Sequence, residues 1–237
     1  MNIIVTGASR GIGFEIVKAF AGTGGNRIVA LARNINNLER LKSVCETMPS
    51  GKDLEIIQVD LSDMDGIFSM LVPKINSLFP NLDILINNAG YLVNKPFKDI
   101  QRDELNEMIR INLMVPFTLI QSLVELLKKG DKSHVINISS MGGIQGSVKF
   151  PGLSAYSMTK GGLGILTECL AEEYRDTNIS FNCLALGSVQ TEMLEEAFPG
   201  YRAPLTPEEM ANFIVDFAVN GQKLFNGKIL PVSLSTP

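Results

Sequence analysis

The sequence predicts an α/β protein in which a parallel sheet carries helices on both faces, a Rossmann-like doubly wound sandwich. Three observations lead there. Short apolar, β-branched runs recur along the chain, segments with helical periodicity separate them, and the runs are apolar on both faces. Strands read that way when helices cover the sheet from either side.

The series opens with NIIV at 2–5, after which Ile12, Ile16, Val17 and Phe20 fall on one helical stripe. RIVALA at 27–32 is the second run, followed by a stripe of Leu38, Leu41, Cys45 and Met48. LEIIQV (54–59), DILI (83–86), HVINI (134–138), ISFNCLAL (179–186) and KILPV (228–232) complete the set. Right-handed crossovers between such strands generate the doubly wound sheet. Two longer helical segments cover roughly 102–129 and 154–175. The first carries Leu113, Met114, Val115, Phe117, Leu119, Ile120, Leu123, Val124, Leu126 and Leu127, a set too wide for one buried stripe. Either that helix is deeply buried or its outer face meets another subunit; the second is expected. No linker, repeat or low-complexity tract divides the chain, so one domain over 1–237 is expected.

With 21 basic and 25 acidic residues the net charge is 21 − 25 = −4, and no long basic run is present. Nucleic acid and anionic membrane surfaces are therefore not expected as partners. No apolar run approaches the roughly 20 residues of a spanning helix. MNIIVTGAS lacks a cationic region followed by an apolar core, so no export signal is read and a cytoplasmic location is expected. Three widely spaced cysteines, Cys45, Cys169 and Cys183, point to reduced structural thiols, and the one histidine, His134, to an ordinary strand-edge residue. Clustered His/Cys metal chemistry is excluded on that count.

TGASRGIG at 6–13 joins the first strand to its helix. Gly7, Gly11 and Gly13 allow a tight turn and a close ligand, and free N–H groups at the helix start favour a diphosphate. The second strand ends in Ala32 and Arg33, where an NAD-selecting sheet usually has an acidic residue. Arg33, with Arg10 nearby in the glycine turn, suits a 2′-phosphate instead, so NADP is the expected cofactor. In AYSMTKGG (155–162), Tyr156 and Lys160 project from one helix face, one turn apart. They are an ordinary solvated pair, or Lys160 lowers the pKa of Tyr156 for proton transfer; the stretch alone does not decide. Asn112 stands four residues before Pro116, which has no N–H for the Asn112 carbonyl.

Together with VDLSD (59–63), NNAG (87–90), INISS (136–140), Asn112 and LGSVQT (186–191), these stretches resemble the short-chain dehydrogenase/reductase family over nearly the whole chain. The resemblance implies a seven-stranded parallel sheet and an active site of Asn112, Ser140, Tyr156 and Lys160. Ser140 is chosen over Ser139 because S-M-G-G follows it in the family's manner, and Ser139 would face the other way. Lys160 would then bring Tyr156 towards neutrality and bond the nicotinamide ribose, while the Asn112 carbonyl would hold a relay water. Cofactor contacts carried over are Gly7, Ser9, Arg10, Gly11, Ile12, Gly13, Arg33, Asp60, Leu61, Asn88, Ala89, Gly90, Tyr156, Lys160, Gly187, Val189 and Thr191. Leu186 replaces the family's usual proline.

The implied activity is NADPH-dependent reduction of a ketone or aldehyde. The 3-oxoacyl carrier-protein reductases are the nearest pattern, and small carbonyl reductases of diketone or pterin type are the alternative. A non-catalytic NADP-binding regulator would have lost Tyr156 or Lys160, and a Ser–Lys hydrolase would need a nucleophile elbow that is absent. A substrate loop is expected at about 190–207, with Leu92, Val93, Val148, Phe150, Leu153, Leu194 and Phe198 as apolar pocket walls. The tail NGKILPVSLSTP lacks the Gly-Gly of tetrameric relatives, so a homodimer through the two long helices is expected before a homotetramer.

Overall fold

The computed structural model describes residues 1–234. Among them, seven strands form one all-parallel sheet in the order β3-β2-β1-β4-β5-β6-β7. They are β1 Asn2–Thr6, β2 Arg27–Ala32, β3 Leu54–Gln58, β4 Ile84–Asn87, β5 Ser133–Ser140, β6 Ile179–Leu186 and β7 Lys228–Val232. The runs read at 27–32, 179–186 and 228–232 match residue for residue. The DILI run begins one residue late, at Ile84; the Asp83 carboxylate before it accepts from the Asn2 amide at 2.7 Å and from Asn81 at 2.7 Å. Strand order reverses between β1 and β4, which opens a crevice at their C-terminal ends.

One apolar layer packs Phe20, Ile16, Ile214 and Phe217 against the sheet, and the opposite layer packs Leu85, Leu119, Leu123 and Phe181. The sheet is thus buried on both faces, which is why its strands read as continuous apolar runs.

The helical run Arg102–Leu127 is interrupted once. A π-type segment at Arg110–Met114, where the Val115 N–H reaches the Arg110 carbonyl, ends two residues before Pro116. Most of its wide apolar set is buried; Met114 and Phe117 remain 47% and 49% exposed. By length and mean hydropathy of 1.3 this helix could cross a membrane, which corrects the expectation that no run approaches that length. Half of that window is buried within the protein, and the polar Asn112 in its middle is 0% exposed, so it serves as a core helix. The second long helix is Ser154–Glu173.

Two further expectations are corrected. His134 is fully buried rather than at a strand edge: its Nδ1 pairs with the Ala218 carbonyl at 3.0 Å and its Nε2 with Asn182 at 2.9 Å. Cys45 and Cys183 are buried, whereas Cys169 is exposed and no part of the core. Ser235 to Pro237, part of the tail behind the dimer expectation, lie outside the described residues.

Candidate active site

The first strand-to-helix turn forms a cradle. Gly7 and Gly11 adopt φ values of 71° and 57°, a region L side chains avoid. A Cβ on Gly7 would also stand 2.8 Å from the Ala89 Cα, so the turn and the NNAG stretch touch backbone to backbone. The helix Gly11–Gly22 starts here with no side-chain cap from Arg10 and no acidic residue in its first turn. Its leading N–H groups and positive dipole end suit the diphosphate of a dinucleotide. Ser9 and Ile12 flank the turn, half-buried, and Gly13 is buried.

Asn88 and Ala89 are fixed by Thr6, whose hydroxyl accepts both of their amides at 3.0 Å. The Asn88 side chain reaches back to the Thr6 carbonyl at 3.0 Å. Gly90 follows, and a Cβ there would lie 3.6 Å from both the Asn112 amide oxygen and the Lys160 ammonium. The NNAG stretch therefore links the glycine turn to the lysine. Sequence reasoning missed Thr6, the last residue of β1; its place immediately before Gly7 was the available signal.

Ser140 ends β5, and Tyr156 and Lys160 stand on the helix beside it. The Ser140 hydroxyl lies beside the Tyr156 phenol, where it favours the phenolate, and accepts the Gly142 amide at 3.3 Å. Lys160 is 4% exposed; its ammonium donates to the Ile138 carbonyl at 2.8 Å and sits 5.8 Å from the Tyr156 ring centre. Burial pushes the Tyr156 phenol up to about 12, against the Ser140 hydroxyl, and pushes Lys160 down to about 8, against the nearby Cys183. This corrects the expectation that Lys160 brings the phenol towards neutrality. Loss of water outweighs the attraction, and the ammonium is aimed at a carbonyl and the ring rather than at the hydroxyl. Near pH 7 the phenol stays protonated and the lysine stays charged.

Asn112 is buried behind this pair, and its side chain is fully engaged. Its oxygen accepts the Tyr91 amide at 2.8 Å, and its nitrogen donates to the Tyr91 carbonyl at 2.9 Å and to the Thr159 hydroxyl at 3.0 Å. Thr159 in turn donates to the Tyr156 carbonyl at 2.8 Å. Thr159 was not singled out from the sequence, although it directly precedes the lysine.

Gly161 and Gly162 are contact glycines. A Cβ on Gly161 would be 3.1 Å from the Gly143 carbonyl, and one on Gly162 would be 3.2 Å from Leu113. The helix thus lies close against the turn after Ser140 and against the other long helix.

The remaining positions are more scattered. Gly187 donates to the Val232 carbonyl at 2.8 Å, Val189 is buried and bridges to Leu205, and Thr191 caps the short helix Glu192–Ala197 while lying against Gly11. Leu61 is buried; Asp60 is exposed and binds the Ser62 amide and hydroxyl at 2.9 and 2.8 Å. Arg33 stands exposed after β2, whereas Arg10 pairs with Glu196. Of the expected pocket walls, Phe150 and Leu153 line an apolar groove of about 730 Å³, together with Phe97, Ile144 and Met158. That groove lies on the Ser157–Gly161 side of the helix and does not include Leu92, Val93, Val148, Leu194 or Phe198.

Comparison with known proteins bears on this arrangement. A family model described as short chain dehydrogenase matches residues 1–202. The chain is 30% identical to the 3-oxoacyl-[acyl-carrier-protein] reductase FabG of Chlamydia trachomatis, over 97% of this chain and 94% of that one. It is 28% identical to gluconate 5-dehydrogenase of Gluconobacter oxydans, over 97% and 91% of the two chains. A short chain dehydrogenase from Shigella flexneri, solved in complex with NADP, superposes with a TM-score of 0.88 at 27% identity, covering 97% and 95%. One from Escherichia coli, complexed with NADPH, does so with a TM-score of 0.88 at 26% identity, covering 97% and 95%.

Proposed function

This chain belongs to the short-chain dehydrogenase family, and on that premise we propose that it is an NADPH-dependent reductase of a ketone or aldehyde. The observation that carries the reading is the convergence of the Ser140 hydroxyl and the Tyr156 phenol beside the buried Lys160 ammonium. The glycine turn would hold the diphosphate, with Gly7, Ser9, Gly11, Ile12 and Gly13 on one side and Gly187, Val189 and Thr191 on the other. Asn88, Ala89 and Gly90 would line the ribose, Asp60 and Leu61 the adenine, and Arg33 with Arg10 the 2′-phosphate. When bound, the cofactor supplies hydride to the carbonyl carbon.

The residues of the chain handle the oxygen. As negative charge grows on it, Ser140 donates a hydrogen bond and Tyr156 gives up its proton. A phenol held at about 12 is protonated and ready at neutral pH, and an alkoxide is basic enough to take that proton. The reverse direction would use the phenolate as base, the form that burial disfavours. Lys160, still charged near pH 7, steadies the phenolate left behind. Asn112, through Thr159 and Tyr91, keeps the helix bearing Tyr156 in register.

Two substrate classes are proposed: a 3-oxoacyl thioester first, which the FabG relative supports, and a small carbonyl such as a diketone or pterin second. The segment 190–207, which touches Gly11 through Thr191, is the proposed substrate loop within one domain. A homodimer through the two long helices is proposed from Met114, Phe117, Met158 and Ile165, which remain 47%, 49%, 55% and 60% exposed. The deciding experiment follows NADPH consumption with 3-oxoacyl thioesters, diketones and pterins, using the wild type and Tyr156→Phe. Turnover lost in the variant with NADPH binding kept is expected. Retained turnover in the variant, or none in the wild type, defeats the reading.

A further inference from the structure

The short helix Glu192–Ala197 is tethered from two sides of the crevice by adjacent residues. Glu196 takes the Arg10 guanidinium with both oxygens, at 2.5 and 3.3 Å. The Ala197 carbonyl accepts from the Asn94 side chain at 2.9 Å. Thr191, which caps this helix, rests on Gly11, so the helix is fastened to the glycine turn through both Thr191 and Arg10. The attraction between the charged partners is mutual: the Glu196 hydrogen bond raises Arg10 above its ordinary value, and the Arg10 hydrogen bond lowers Glu196 below its own. The Arg10 and Glu196 side chains are 43% and 62% exposed, so the pair is wet, weak and easily exchanged.

Arg10 is thereby already occupied by a carboxylate of the chain itself. We propose that Glu196 is a specificity-determining residue that competes with the 2′-phosphate of NADPH for Arg10, so that NADPH, unlike NADH, frees the Glu192–Ala197 helix from the glycine turn. This rests on the NADPH reading above. A phosphate offers more charge and more acceptor oxygens than one carboxylate, so it wins the guanidinium. NADH has a bare 2′-hydroxyl and leaves the Arg10–Glu196 pair in place.

The test measures dissociation constants for NADPH and NADH by nucleotide fluorescence in the wild type, Glu196→Gln, Arg10→Gln and the double variant. Glu196→Gln should tighten NADPH about three- to fivefold, the scale of an exposed ion pair, and leave NADH unchanged. In the Arg10→Gln background the same substitution should do nothing, because the competitor no longer has anything to compete for. Equal tightening of both nucleotides, tightening that persists without Arg10, or no change at all overturns the competition while NADPH binding itself stands. Failure of the wild type to bind NADPH overturns the cofactor reading and this inference together.

Discussion

The Ser139 hydroxyl donates a 2.8 Å hydrogen bond to the main-chain carbonyl of Lys160, while its neighbour Ser140 lies beside the Tyr156 phenol. Two consecutive serines at the end of β5 thus both reach the helix Ser154–Glu173, which corrects the expectation that Ser139 faces away from it. Ser139 holds the backbone at the lysine, and Ser140 faces the reacting hydroxyl. The substitutions should separate these jobs. Ser140→Ala should lower kcat by about 10²-fold with stability nearly kept. Ser139→Ala should cost about 1 kcal/mol of stability and change kcat only a few-fold. Steady-state kinetics and urea unfolding of both variants check the split, and the reverse pattern would exchange the two roles.

Lys160 is a liability to the fold. Its proton affinity drops on folding, from 10.5 to about 8, so the folded state is penalised below pH 8 and the penalty fades between 8 and 10.5. The shift of 2.5 units corresponds to about 3 kcal/mol. Lys160→Met should raise stability near pH 7 by up to that amount while abolishing turnover. In the wild type, kcat should fall above about pH 8 as the ammonium loses its proton. Denaturant titration of the variant and a pH–rate profile of the wild type measure the two effects.

His134 gives a dependence of the same sign in a lower window. Burial lowers its pKa from 6.5 to about 4, against the Ala218 hydrogen bond, so the neutral ring is the folded form. Its contribution is fully present above pH 6.5 and is lost as pH falls towards 4, about 3 kcal/mol in all. Stability measured across that window should decline less steeply in His134→Gln than in the wild type. Parallel curves would show that the ring does not titrate in this way.

The strands were legible because interior strands of a two-sided parallel sheet leave a continuous apolar trace, and the interior strands β2 and β6, with the edge strand β7, were read to the residue. The grouping of Ser140, Tyr156 and Lys160 was legible from local spacing and ordered motifs. The balance of their pKa values was not, because desolvation depends on packing that no spacing reveals. His134 misled for the same reason: polar residues beside a strand look like edges until Ala218 and Asn182 are brought to them. Arg10 was read as free for a phosphate, since its partner Glu196 lies 186 residues further along the chain.

At the rim of the sheet, the Val232 carbonyl turns inward to accept from Gly187, so by alternation Pro231 turns its backbone outward. The outer margin of β7 thus lacks a donor at its fourth residue. Another chain laid alongside would find its ladder broken there, which guards this border against runaway stacking into fibrils.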